Sequence, residues 1–184
     1  GEEVELVRQC AVVSEKAHIA VMKALKPGMY EYEIEALLEY EYKRHGGTHG
    51  YGHIVAGGAN ATCLHYHDNN QKLASGDLLL IDSGCELPHK FTTDVTRCYP
   101  VGGKFTDKAA RIYSLVLEAN KAAIAACTVG SSIRAVHLKA QTVLAEGLIR
   151  MGLLKGDAAG AIESGELGKF YMHGTSHWLG MDVH

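Results

Sequence analysis

The 184-residue sequence predicts an α+β fold in which helical hairpins pack on a shared sheet. Three observations carry this. Long alanine-rich segments show helical periodicity in both halves of the chain. Between them lies a block of short, strand-like segments bounded by glycine and turn residues. A weak internal repeat at an offset of 102 residues matches Ala17, Ala20, Ala24, Gly28 and Ile34 to Ala119, Ala122, Ala126, Gly130 and Val136. Each repeat unit reads as a long helix, a glycine break and a second helix. The plain alternative is that two helical hairpins look alike. If the duplication is real, the second unit lacks the strands that follow the first.

In order along the chain, residues 2–25 form the first predicted helix, with Val4, Leu6, Val7, Cys10, Val13, Ala17, Ala20, Val21 and Ala24 as its apolar stripe. Pro27-Gly28 breaks it. A second helix is predicted over about 31–45, ending at Gly46-Gly47. Residues 46–60 are glycine-rich and read as loop with short strand. "TCLHYH" at 62–67 reads as a strand with a turn at "DNN" after it. "DLLLIDSG" at 77–84 is a short apolar run between glycines and reads as a buried strand, with "KFTTDVTRCYPV" as its neighbour. Thr106 is placed to cap the next helix, and a last helix is predicted over about 131–152.

The length suits one domain with a real core. A net charge of −3 leaves no basic excess to neutralise phosphates, which argues against nucleic-acid or anionic-membrane partners. No apolar run approaches the roughly 20 residues that span a bilayer, and the first residues, which need not be the coding start, do not read as a basic-then-apolar leader. The five cysteines (Cys10, Cys63, Cys85, Cys98 and Cys127) are odd in number and form no CxxC pair. They read as reduced, mostly buried thiols of a cytoplasmic protein. The eleven histidines are the one unusual count.

The chemistry concentrates in two places. Asp82 ends the apolar strand, and Asp94 lies on the adjacent one with 11 residues between them. Paired as a hairpin, these strands put the carboxylates side by side. Two half-buried carboxylates repel unless one is protonated, and a divalent cation removes that cost. Oxygen ligands with a later imidazole suit Mn²⁺, Zn²⁺, Co²⁺ or Fe²⁺. Asp-Ser-Gly is also a common turn, and Asp94 alone reads equally as an exposed strand residue. The second place is the C-terminal stretch with His173, His177 and His184. The His173/His177 spacing mimics the helical HExxH motif, but the glutamate is missing and Gly174-Thr175-Ser176 makes a poor helix, so extended or turn backbone is expected. His65 and His67 would share one side of a strand. The ordinary alternative is a hydrogen-bonded structural histidine for one or two of the C-terminal three, and a core or surface histidine for His65 and His67.

Three stretches, "GGANATCLHYHDNN", "LLLIDSGCE…TTDVTRCYPV" and "FYMHGTSHWLGMDVH", together resemble the proline-specific metallopeptidases of the pita-bread fold, closest to the aminopeptidase P branch. The resemblance runs through the whole chain in order. It implies helical hairpins on a mostly antiparallel curved sheet, truncated in the second half, so that residues 1–184 form a partial catalytic domain without the N-terminal domain of long members or the later strands. It implies two divalent ions, usually Mn with Co or Zn possible. Asp82 would chelate one ion, Asp94 would bridge both and His177 would bind the other. His65, His173 and His184 would be the catalytic histidines that orient substrate and stabilise the tetrahedral intermediate. The implied activity is release of the N-terminal residue from peptides with proline second, by a hydroxide formed on the two metals. No nucleic-acid or membrane partner is implied, and a homo-oligomer is expected.

Two departures stand out. The Asp82–Asp94 separation is one residue longer than the family's usual spacing, an insertion that "ELPHKFTT" places in the connecting hairpin. The family also takes two glutamate ligands from beyond the position of His184, so the chain carries three of five and by itself is expected to bind metal weakly or singly with little turnover. The competing reading is a metal-free, peptide-binding relative that has lost catalysis. The aspartates and histidines kept here count against it.

Overall fold

A computed structural model describes residues 1–181; Asp182, Val183 and His184, and with them the expectation for His184, lie outside the described residues. The chain forms two compact units, Gly1–Thr106 with the stretch from Trp178 on, and Asp107–His177.

In the first unit, α1 (Glu2–Ala24) and α2 (Glu31–Arg44) make the predicted hairpin. Cys10, Val13, Ala17 and Val21 recur at helical spacing and form the buried line of α1. The predicted stripe began at Val4, but that residue is exposed and burial starts only at Cys10. Glu2, Glu3 and Glu5 in the first turn and Lys23 in the last complement the helix dipole. Ile34, Leu38 and Tyr42 line the inner face of α2. These side chains join Val55, Leu79 and Ile81 of the sheet in one core. Each fully buried Leu or Ile there contributes about 1.5–3 kcal/mol relative to exposure.

The sheet is antiparallel in the order β2 (Ile54–Gly57), β3 (Leu78–Ser83), β5 (Val95–Pro100), with β3 central. Its register pairs Asp82 with Ile54 on one side and Thr96 on the other. A second, small ladder joins β1 (Thr48–His49) to β4 (Cys85–Glu86). Burial alternates along β3: Leu79, Ile81 and Ser83 face the core, while Leu78, Leu80 and Asp82 are half-covered.

The predicted strand at 62–67 does not form. A short 3₁₀ turn, Gly58–Thr62, is followed by irregular backbone, with His65 at φ 55° and Asn69 at φ 44°. A positive φ at His65 is incompatible with strand backbone, and the segment is anchored instead by the Glu31 carboxylate, which accepts from Tyr66 within it and from Asn60 and the amides of Gly57 and Gln71 on either side. The argument that His65 and His67 share a strand face lapses with the strand.

In the second unit, α3 (Asp107–Ala126) starts directly after Thr106, and Ser132 caps α4 (Ile133–Arg150) by accepting from the Ala135 amide at 3.1 Å. A short α5 (Ala158–Glu163) follows. Leu115, Ala119, Leu144, Ala145, Leu148 and Leu167 belong to the core of this unit. A side chain on Gly147 would fall on Leu115, so that glycine lets α3 and α4 pack closely. Among the described residues this unit has no strand. The repeat residues occupy matching roles in the two units: Gly28 and Gly130 take φ of 92° and 91°, and Ala17, Ala119, Ile34 and Val136 are all buried.

The cysteines are all free, but only Cys10 and Cys85 are buried; Cys98 is half-buried and Cys63 and Cys127 are exposed, which corrects the expectation of mostly buried thiols. No helix among the described residues is long and apolar enough to cross a membrane.

His18, buried on α1, sets a pH dependence. Its Nδ1 lies 2.8 Å from the Tyr99 hydroxyl. Burial, and then the Arg97 charge, lower its pKa from 6.5 to about 4. The unfolded chain therefore takes up this proton first as pH falls. The contribution of the neutral ring is complete above about pH 6.5 and is lost progressively toward pH 4, by about 3 kcal/mol in all. Urea midpoints should drop between pH 7 and pH 4.5 in the parent protein, and less steeply in His18→Gln. Parallel profiles would remove His18 as the cause.

Candidate metal centre

Asp82 is carried to its place by the last turn of alternation on β3, and Asp94 immediately precedes β5. Antiparallel pairing of these strands, with Ser83 opposite Val95, brings the two carboxylates to one phenol. The Tyr51 hydroxyl lies 2.6 Å from Asp82 Oδ1 and 3.0 Å from Asp94 Oδ1. Both aspartates are half-buried. Burial first, and then the two carboxylates, push the Tyr51 phenol far above its ordinary pKa, so it remains a proton donor. It has a single proton for two anionic acceptors. Two carboxylates drawn to one phenol are oxygen donors of the kind that fits a hard or borderline divalent ion.

Gly84, directly after β3, permits this geometry. A Cβ there would land on the Thr93 carbonyl oxygen and lie 2.7 Å from the Tyr51 ring, so only glycine lets the chain leaving β3 pass so close to both. Thr93 is itself fixed, since its hydroxyl accepts from the Cys85 amide at 3.0 Å and meets Ser14 Oγ at 2.6 Å.

His65 sits on the irregular segment tied down by Glu31, a fully buried carboxylate. Glu31 Oε1 accepts from the Gly57 amide at 2.7 Å and Asn60 Nδ2 at 3.0 Å, and Oε2 from Tyr66 Oη at 2.7 Å and the Gln71 amide at 2.9 Å. Buried Asn69 closes the far end by accepting from the Val55 amide at 2.9 Å and donating to the His53 carbonyl at 3.0 Å. His65 itself is exposed.

His173 and His177 belong to the second unit and lie on irregular backbone, as the glycine-rich sequence around them predicts. Thr175 anchors the stretch. Its hydroxyl is bound by His137 Nδ1 of α4 at 2.9 Å and by Tyr171 Oη. Tyr171 stacks on His137 at 5.6 Å and meets the His173 ring edge-on at 5.0 Å.

Tyr51 and Glu31 were not singled out by the sequence, and neither was a third feature. Among the described residues, the group of three ligand-type side chains close enough to share one ion is Glu39, His49 and His53. For Tyr51 the only available signal was an aromatic flanked by glycines in "HGYGH".

The family model for metallopeptidase family M24 matches residues 5–184. The chain is 43% identical over 183 residues to the Xaa-Pro aminopeptidase of Haemophilus influenzae, covering 99% of this chain and 42% of that protein. It is 39% identical over 184 residues to the Xaa-Pro aminopeptidase of Escherichia coli, again covering 42% of the relative. Among solved structures it superposes on Pseudomonas aeruginosa aminopeptidase PepP with a TM-score of 0.96 at 44% identity, over 99% of this chain and 41% of that one. A glutamate-to-alanine variant of E. coli aminopeptidase P in complex with substrate matches with the same TM-score of 0.96, at 39% identity over 100% of this chain and 42% of that one. The chain thus spans about two fifths of the length of these relatives and shares the α+β fold of aminopeptidase P across that span. With its sequence matched from residue 5 onward, the chain belongs to metallopeptidase family M24.

Proposed function

We propose that residues 1–184 are part of the catalytic domain of a metal-dependent aminopeptidase that releases the N-terminal residue from Xaa-Pro peptides. The observation that carries this reading is the convergence of Asp82 and Asp94 on the Tyr51 hydroxyl, in a chain 43% identical to an Xaa-Pro aminopeptidase. Asp82, Asp94 and His177 would hold two divalent ions, Mn²⁺ by preference with Co²⁺ or Zn²⁺ as substitutes. When bound, the ions supply Lewis acidity toward the peptide carbonyl and an acidified water. Tyr51 fixes the rotamers of both aspartates, so that they need not reorganise when an ion arrives. His65, on the segment that Glu31 rigidifies, and His173, braced by Tyr171 and Thr175, would orient the peptide and stabilise charge on its carbonyl oxygen; His184 would share that role. Five free cysteines suit a reducing compartment, and the cytoplasm is the proposed location.

The test is an assay of the full-length protein that contains this sequence. After chelation, Mn²⁺, Co²⁺ and Zn²⁺ are returned in turn and Arg-Pro-Pro is offered beside Arg-Ala-Pro. Metal-dependent release of arginine from the first peptide alone is expected. Peptide binding that ignores chelator and gives no release with any metal would favour the metal-free binding module instead.

A further inference from the structure

We propose that Glu39, His49 and His53 form a second divalent-metal site, of the Zn²⁺ class, built from residues other than Asp82 and Asp94. One ligand atom from each of the three lies within 4.8 Å of the other two. Around a tetrahedral zinc with bonds of about 2.0–2.1 Å, ligand atoms sit about 3.4 Å apart, so only a small adjustment closes the set. Two imidazoles with one carboxylate is a familiar zinc donor set, with a water in the fourth position.

The three residues come from three different elements. Glu39 is on α2, His49 on β1, and His53 directly precedes β2. His49 Nδ1 and His53 Nε2 both approach the same oxygen, Glu39 Oε1, the second at 3.0 Å. Burial raises the Glu39 pKa, but the His49 and His53 imidazoles outweigh it and hold the carboxyl below its ordinary range. Burial lowers the pKa of His53, against the opposing pull of Glu39. An anionic oxygen and a neutral imidazole are the protonation states that an ion requires.

A second, independent feature points the same way. The other ring nitrogen of buried His53, Nδ1, is 2.8 Å from Ser83 Oγ, and Ser83 Oγ is 2.6 Å from the Tyr42 hydroxyl. Tyr42 in turn has Ser14 as a partner. This chain fixes the ring orientation, with Ser83 Oγ accepting a hydrogen bond from Nδ1–H when Nε2 carries an ion, which is the arrangement found behind metal-bound histidines. Glu35, one helical turn before Glu39, adds a second negative charge acting on His53. His49 is half exposed, at 49%, and leaves an entry path. An ion here would clamp α2 to the segment from His49 to His53, whose middle residue is Tyr51.

The experiment does not depend on peptidase activity. In the full-length protein, Asp82→Asn/Asp94→Asn removes the other carboxylate pair. After equilibrium dialysis against Zn²⁺, about one ion per chain should remain, and adding His49→Ala should weaken zinc binding at least about tenfold. His49 is exposed, so circular dichroism should not change. Loaded with Co²⁺, the double variant should show the intense visible absorption of a four-coordinate ion, and Glu39→Gln or His49→Ala should abolish it. Should the double variant misfold, the parent and its His49→Ala form are compared, and the loss of about one zinc per chain is expected. Zinc content and affinity unchanged by both His49→Ala and Glu39→Gln would show that the cluster is a hydrogen-bonded network only. So would a folded double variant that retains no zinc.

Discussion

Asp94→Asn in the full-length protein is expected to lower kcat/KM on Xaa-Pro peptides by more than about 100-fold while leaving the fold intact. The substitution keeps shape and one acceptor oxygen. Tyr51 can still donate to Asp82, its closer partner at 2.6 Å, so the local hydrogen bonding survives. What is lost is one of the two carboxylate charges beside Tyr51, on which the proposed pair of dipositive ions would depend for its coordination. Replacing groups that merely orient metal ligands costs about 10–100-fold in affinity or activity, and replacing a ligand, the role proposed for Asp94, should cost more. Metal content after dialysis and turnover should fall together, with thermal midpoint nearly unchanged in chelator. Native turnover with full metal occupancy would remove Asp94 from the site.

Glu31→Ala should be the most destabilising single change outside the apolar core, by at least about 3 kcal/mol. Four donors converge on this one buried carboxylate. Hydrogen bonds to a charged group are worth about 1.5–3 kcal/mol each, and truncation also leaves the Gly57 and Gln71 amides unpaired. The values do not add in full, because Asn60 and Tyr66 also bind each other at 3.0 Å. At about 2–4 °C per kcal/mol, the thermal midpoint should fall by roughly 6–12 °C. Glu31→Gln should recover part of this, since an amide keeps one acceptor oxygen but turns an N–H toward donors. The same segment carries His65, so turnover should fall even at temperatures where the variant is folded. A midpoint within about 2 °C of the parent would show that the Glu31 hydrogen bonds are replaced by water at little cost.

The helices were legible because their signal is local. The line from Cys10 to Val21 and the inner face of α2 repeat at the helical period, and burial follows that period once the exposed first turns are passed. β3 was legible as a short apolar run between glycines, and its pairing with β5 follows from the hairpin between them. The stretch at 62–67 was misread because strand propensity is a weak local preference. A carboxylate 35 residues from Tyr66 holds the segment instead, and His65 takes a positive φ, neither of which strand propensity registers.

Residue chemistry and spacing were enough to pick out Asp82 and Asp94 as a pair, because two carboxylates on adjacent strands carry a visible electrostatic cost. The sequence had no means of showing that Tyr51 stands between them, as it is 31 and 43 residues away from its two acceptors. Nor does any spacing rule join Glu39 on a helix to His49 on β1 and His53 just before β2. Periodicity records which face of an element is buried, and motif spacing records groups that one element presents together. Contacts between side chains from different elements depend on register, crossing and close approach, such as the passage that Gly84 permits beside Thr93 and Tyr51. Those are properties of packing, so the helices, the central strand and the aspartate pair were determined by the sequence itself. The phenol that orients the pair, the carboxylate that fixes the His65 segment and the Glu39–His49–His53 cluster were decided only by the tertiary structure.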